Sequence, residues 1–162
     1  MSELPAEAVH VEPRRVCLAY SPGGHKAELD RALTGIRLLD ACHVTFDDGR
    51  PPSPLPAGHR RHLVCHPRRS LGRTLLNAWQ SLRILRRERP ALVVSTGADV
   101  AVPLLLLARC LGARVIFIET AGSDAPTLAG RLVYPFADLF IVQWPDRLRR
   151  FPRAVLAEGL LL

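Results

Sequence analysis

The sequence predicts an α/β fold, a Rossmann-like parallel sheet with helices on both faces. Three observations carry this. Compact apolar runs recur along the chain, each followed by a stretch with helical spacing. One run, 91–95, is apolar almost throughout, as a strand buried on both faces requires. Glycine-containing polar turns fall where the runs end. The 162 residues are 48% hydrophobic and 23% charged, enough for one domain with its own core.

The elements follow in order. Residues 1–14 are polar and mixed in charge and read as a flexible N-terminal segment; 15–162 read as a single domain. Residues 16–20 form the first strand, and 24–39 continue with helical spacing. Residues 43–46 form the second strand, ending at Asp47-Asp48-Gly49. The stretch 50–58 holds four prolines and is a loop. Residues 61–66 form the third strand. A helix over 71–89 places Leu71, Leu75, Ala78, Leu82 and Leu85 on one face, which predicts packing on the sheet, and Pro90 ends it. Strand 91–95 precedes a helix over 99–111 stopped by Gly112. Strands follow at 114–118, 139–142 and 154–156, with a helical stretch over 126–137 that Pro135 interrupts.

The net charge is +7, almost all from arginine, with Lys26 the only lysine. This sign suits an anionic partner: phosphate, diphosphate or an acidic lipid surface. Aromatic and basic residues do not interleave as nucleic-acid surfaces require, so no nucleic-acid partner is expected. Cys17, Cys42, Cys65 and Cys110 have no metal-ligand spacing and read as reduced thiols of a cytosolic protein. No metal and no cofactor is expected. The apolar run 100–111, broken by Pro103 and Arg109, is too short to span a bilayer.

In a parallel sheet, ligands bind beyond the carboxyl ends of the strands. The loop Ser21-Pro22-Gly23-Gly24-His25-Lys26-Ala27-Glu28 leaves the first strand there. Its glycines admit close backbone approach, and the helix behind it offers free N–H groups to an anion. His25 at a helix start is held neutral by the dipole, as a general base near pH 7 must be. From the residues alone the loop reads first as a plain connection, with a phosphate turn and a catalytic corner as the alternatives. Ser95-Thr96-Gly97-Ala98-Asp99 repeats the pattern, with Thr96 or Asp99 as a candidate helix cap. Glu119 closes an apolar strand, so it is either paired with an arginine or faces the crevice; Ser123 follows it in the next turn. Trp79 with Arg83, Arg86 and Arg87 on the 71–89 helix reads as either a membrane-surface contact or a solvated helix face. Trp144 and the arginines at 147, 149, 150 and 153 suit a partner contact or a solvated face.

The loop SPGGHKAE, taken with the ordered string from LVVSTGAD through VIFIETAGSD to IVQWPDRLRRFP, resembles the PssD/CpsF-type polysaccharide biosynthesis proteins. These are similar to the membrane-anchoring subunit of the eukaryotic dolichol-linked N-acetylglucosaminyltransferase. The resemblance covers roughly 15–158. It implies the N-terminal, acceptor-binding half of a split GT-B glycosyltransferase, active with a separate PssE-like subunit that binds the UDP-sugar. By likeness to the single-chain relative MurG, Gly23, Gly24 and His25, with Gly97 and Pro103, fall at the acceptor site.

The resemblance further implies an inverting transfer, with glucuronic acid as the sugar expected, to a polyprenyl-diphosphate saccharide in exopolysaccharide synthesis. The protein is expected in the cytoplasm, peripheral at the inner face of the cell membrane. His25 is the first choice of base and Glu119 the second. Ser21, Gly23, Gly24, Ser95, Thr96, Gly97 and Ser123 are expected around the acceptor diphosphate. Many eukaryotic relatives begin with a transmembrane helix, which this sequence lacks, so membrane contact is expected through Trp79, Arg83, Arg86 and Arg87. The apolar stretch 158–162 is expected to dock on the partner. The alternative is a non-catalytic anchor that recruits a catalytic partner to the membrane.

Overall fold

The computed structural model describes residues 9–157. Seven strands form one sheet: β1 (His10–Ala19), β2 (Ile36–Thr45), β3 (His59–Leu63), β4 (Leu92–Ser95), β5 (Arg114–Ile118), β6 (Leu139–Val142) and β7 (Val155–Leu156). Their order is β3-β2-β1-β4-β5-β6-β7, and every neighbouring pair is parallel. The chain winds outward from β1 to β3, then returns past β1 to start β4. The direction of winding therefore reverses between β1 and β4. A parallel sheet opens its ligand crevice at that switch point, over the carboxyl ends of the two strands.

Among the described residues four α-helices cover the sheet: α1 (Gly24–Ala32), α2 (Leu71–Glu88), α3 (Val102–Cys110) and α4 (Leu128–Val133). Strand alternation divides the core. Val16, Leu18 and Tyr20 of the first strand segment pack with Leu29 of α1, Val94 and Ile118. Cys17 and Ala19 point the other way, into a larger cluster with Leu85 of α2, Leu104 and Leu105 of α3, Phe117 and Phe140. Phe117 stacks on Phe140 at 5.1 Å between ring centroids, and Phe151 lies 4.7 Å from Phe140.

Several boundaries differ from the sequence expectation, each for a local reason. Residues 10–14 are not a flexible segment but the start of β1, where His10, Val11 and Glu12 pair with Ile36, Arg37 and Leu38. No apolar run marks them, because this end of the strand is largely exposed. The helix expected over 24–39 ends at Ala32; Gly35, at φ 79°, turns the chain into β2. Helix α3 starts at Val102, and neither Thr96 nor Asp99 caps it. Thr127 does cap α4, its hydroxyl accepting from the Gly130 N–H at 2.9 Å. Residues 1–8 and 158–162, including the expected partner-docking stretch, lie outside the described residues.

The largest correction concerns α2. The expected apolar stripe does not pack inward: Leu71 is 77% and Leu75 63% exposed, with Trp79 at 54%. Of that stripe only Leu85 is fully buried, alongside Asn77, Ser81 and Glu88. Asn77 accounts for this. Its Nδ2 donates to the carbonyls of Cys65 (2.7 Å) and Val100 (3.2 Å), and Ser81 Oγ donates to its Oδ1 at 3.2 Å. Asn77 thus bonds α2 to the chain around Cys65 and Val100, and Leu71, Leu75 and Leu76 are left facing out.

Candidate functional site

The site forms where four loops meet over the switch point. The first is the turn from β1 into α1. Gly23 sits at φ 92° and ψ −130°, backbone angles that suit glycine. The first α1 hydrogen bond there runs from the Ala27 N–H to the Gly23 carbonyl at 3.0 Å. The amides of Gly24, His25 and Lys26 precede it, at the positive end of the helix dipole. Beside this turn lies a cleft of about 320 Å³ lined by Tyr20, Gly23, Lys26, Thr45, Asp47 and Arg61, among others.

The second loop, after β4, clasps the first. His25 Nδ1 lies 2.9 Å from the Thr96 carbonyl oxygen, and the Thr96 hydroxyl donates to the His25 carbonyl at 2.6 Å. A carbonyl only accepts, so Nδ1 carries a proton, and in the neutral ring Nε2 is the nitrogen with the lone pair. Gly97, at φ 109°, takes a backbone conformation that favours glycine, and a Cβ there would only touch the ring, 3.5 Å from His25 Cε1. Ser95 and Thr96 are fully buried, and Ser95 Oγ accepts from the Gly97 N–H at 3.0 Å. Their hydroxyls therefore hold the loop and His25, where an acceptor contact was expected of them. Pro103 is likewise buried, in the first turn of α3.

The third and fourth loops close the far side. Glu119 is 1% exposed, and its carboxylate accepts from the Thr127 N–H at 2.6 Å and the Thr127 hydroxyl at 3.0 Å. Burial raises its carboxyl above the usual range, against the two Thr127 bonds. No arginine ion pair reaches it among the described residues; it braces the start of α4, against Gly130, where any Cβ would meet it at 2.2 Å. Gln143 Nε2 donates to the Glu119 carbonyl, and Trp144 Nε1 to that of Ala121 at 3.0 Å. Arg147 is buried and donates to the Ser123 carbonyl, so it is neither a solvated arginine nor a free partner contact. Ser123 Oγ donates to the Ala125 carbonyl at 2.6 Å, and Ser21 is half-buried at the entry to the first turn.

The structure thus brings together His25, Gly23, Gly24, Thr96 and Gly97, with Ser95 behind them. Two groups were not singled out from sequence. Glu28, one helical turn past His25, is buried and accepts from the Thr120 hydroxyl (2.8 Å) and the Ala121 N–H (3.1 Å). Its i+3 spacing from His25 was the available signal. Tyr20, His43 and His59 form a relay: Tyr20 Oη to His43 Nδ1 at 3.0 Å, His43 Nε2 to His59 Nδ1 at 3.0 Å, and His59 Nε2 to the Leu38 carbonyl at 3.2 Å. Because that carbonyl only accepts, each proton points away from Tyr20. Burial, then the neighbouring His59, lowers His43 to about 4. Trp79, Arg83, Arg86 and Arg87 stand apart from the crevice, exposed on α2, with the Arg83 guanidinium 4.8 Å from the Trp79 ring centroid. Among the described residues no helix is long and apolar enough to cross a membrane, and no cluster of three or more potential metal ligands occurs.

A parallel sheet whose winding reverses between β1 and β4, with a glycine turn and a helix N-terminus at the switch point, is a Rossmann-like domain, the architecture also found in the N-terminal half of GT-B folds. The comparison with solved structures agrees. MurG from Acinetobacter baumannii superposes with a TM-score of 0.67 at 18% identity, over 91% of this chain and 45% of that one. The chain belongs to the family of Alg14-like oligosaccharide biosynthesis proteins, whose pattern matches residues 61–160. A relative from Eremothecium gossypii, the UDP-N-acetylglucosamine transferase subunit ALG14, is 31% identical over 174 residues, covering 88% of this chain and 78% of that protein. The Nitrosospira multiformis UDP-N-acetylglucosamine--N-acetylmuramyl-(pentapeptide) pyrophosphoryl-undecaprenol N-acetylglucosamine transferase is 36% identical over 83 residues. That match covers 51% of this chain and 23% of the transferase. The chain therefore spans less than half of these single-chain transferases.

Proposed function

We propose that this chain is the acceptor-binding subunit of a two-component inverting glycosyltransferase, acting on a polyprenyl-diphosphate-linked saccharide. The observation that carries the reading is the His25 geometry. Nδ1 is bonded to the Thr96 carbonyl, which leaves Nε2 as the basic nitrogen of a partly exposed ring in the first turn of α1. The acceptor diphosphate rests on the amides of Gly24, His25 and Lys26, where the helix dipole favours negative charge. His25 Nε2 takes the proton of the acceptor hydroxyl as that oxygen attacks the anomeric carbon, and the nucleoside diphosphate leaves. Glu119, bonded through both oxygens to Thr127, is a brace for the loop rather than the base.

The donor half belongs to a separate, PssE-like subunit. The word "subunit" in the relatives' names supports this division. Those names carry UDP-N-acetylglucosamine, while the PssD-type resemblance favours UDP-glucuronic acid in exopolysaccharide synthesis. The donor sugar is chosen by the partner, so both are assayed.

The chain works at the inner face of the cell membrane, lying on it through α2. At about 100° per residue, Leu75, Leu76, Trp79, Arg83 and Arg86 share the outward side of that helix. Apolar groups enter the interface while arginines, Arg87 included, meet anionic headgroups. The same outward face favours a second reading, a non-catalytic anchor that recruits a catalytic partner.

A binding experiment tests the division of labour. The chain alone, titrated with undecaprenyl-diphosphate N-acetylglucosamine in nanodiscs and separately with both UDP-sugars, is expected to bind the lipid and neither nucleotide. Binding of a UDP-sugar without the lipid contradicts the reading.

A further inference from the structure

We propose that Glu28 is the positioning residue of His25, a buried carboxylate that receives the imidazolium charge when Nε2 takes the acceptor proton. The inference rests on the reading of His25 as the base. The two residues lie three apart on α1, so their side chains share a face. Glu28 is 4% exposed. One of its oxygens is occupied by the Thr120 hydroxyl and the Ala121 N–H. The other, Oε2, is buried without a hydrogen-bond partner among the described residues and lies 3.9 Å from His25 Nδ1.

A buried carboxylate oxygen left unbonded is unfavourable unless a positive charge comes to it. The nearest group able to carry one is the His25 ring. With Nδ1–H bonded to the Thr96 carbonyl, proton uptake occurs at Nε2, and the cation's charge spreads to Nδ1 beside Oε2. The proton comes from the acceptor hydroxyl, whose O–H bond breaks as its oxygen bonds the anomeric carbon. The leaving diphosphate takes the electron pair, and Glu28 changes neither bond nor proton.

The other charges around the ring do not replace it. Lys26 on α1 is committed to Asp30. Glu119, from the end of β5, interacts with His25 electrostatically but is bonded to Thr127 and faces Arg147. Glu28 also ties α1 to the turn after β5, so the carboxylate that meets the charge is held by the loop that closes the crevice.

The experiment is a double-mutant cycle in the complex of this chain with its donor-binding partner, with Glu28→Gln, His25→Ala and the double variant. Glu28→Gln is expected to lower kcat about tenfold to a hundredfold, with acceptor KM within about threefold. It is also expected to move the acid limb of the pH–rate profile to lower pH. In the His25→Ala background it is expected to change nothing further. Thr120→Val, which removes the loop's hydroxyl donor but keeps the carboxylate, is expected to leave the acid limb in place. Should the glutamine variant fail to fold, Glu28→Asp serves, with a smaller loss of kcat expected and the acid limb retained. An unmoved limb and unchanged kcat in Glu28→Gln, with His25→Ala inactive, overturns this inference and leaves the base assignment standing. An equal loss in both backgrounds makes Glu28 a brace only. Full turnover in His25→Ala removes the base assignment itself.

Discussion

His25 and Thr96, 71 residues apart, hold each other twice: Nδ1 to the Thr96 carbonyl at 2.9 Å, and the Thr96 hydroxyl to the His25 carbonyl at 2.6 Å. The pair joins the turns that leave β1 and β4, the two strands flanking the switch point. It fixes the tautomer of the ring and the position of the α1 N-terminus at once.

Two glycines of these turns share backbone strain without crowding. Gly23 and Gly97 both have positive φ, but a Cβ at Gly23 meets nothing, while one at Gly97 stands 3.5 Å from His25 Cε1 and from Phe117 Cζ. Alanine at either position is expected to destabilise by about 1–2 kcal/mol, measured by chemical denaturation. Only the Gly97→Ala methyl is expected to show a nuclear Overhauser contact with the His25 ring in NMR spectra.

Asn77 carries the polar underside of α2. Asn77→Ala leaves the Cys65 and Val100 carbonyls and the Ser81 hydroxyl without their shared partner. The expected loss is about 2–3 kcal/mol, read from the urea midpoint at unchanged m-value.

His43 makes the fold acid-sensitive. Its folded value of about 4 lies below the ordinary 6.5, so the unfolded chain binds the extra proton between those values. Stability is therefore present above about pH 6.5 and is lost as pH falls toward 4, by up to about 3 kcal/mol. Glu119, whose carboxyl burial raises, acts with the opposite sign, losing stability as pH rises through its folded value. Comparing denaturation of the wild type and His43→Gln isolates the first effect: the variant's stability is expected to vary less between pH 4 and 6.5.

The outward face of α2 predicts vesicle binding. Co-sedimentation with phosphatidylglycerol vesicles is expected to fall at least tenfold in Leu75→Ser/Trp79→Ser. In Arg83→Gln/Arg86→Gln/Arg87→Gln it is expected to fall and to lose most of its salt dependence. Neutral phosphatidylcholine vesicles are expected to bind weakly in every case.

Much of the fold is legible because buried parallel strands are written as apolar runs. The runs at 114–118 and 139–142 coincide with β5 and β6. The first half of β1 is not legible, since most of its side chains are exposed and backbone pairing with Ile36–Leu38 makes it a strand. The packing of α2 misleads for a related reason. Periodicity finds leucines, whereas the inward face includes Asn77, bonded to the carbonyls of Cys65 and Val100, distant in sequence, and Ser81, bonded to Asn77. At the site, the glycine turn and His25 stand out as residues. That the Thr96 hydroxyl serves His25, and that Glu28 reaches the loop after β5, depends on strands brought together by the sheet order.

The most direct test is turnover by the complex with the donor-binding partner after His25→Ala, with folding and partner binding confirmed. The expected result is a loss of kcat of at least about a hundredfold, with acceptor lipid still bound. Near-normal turnover would contradict the account and leave this chain as the membrane anchor of a catalytic partner.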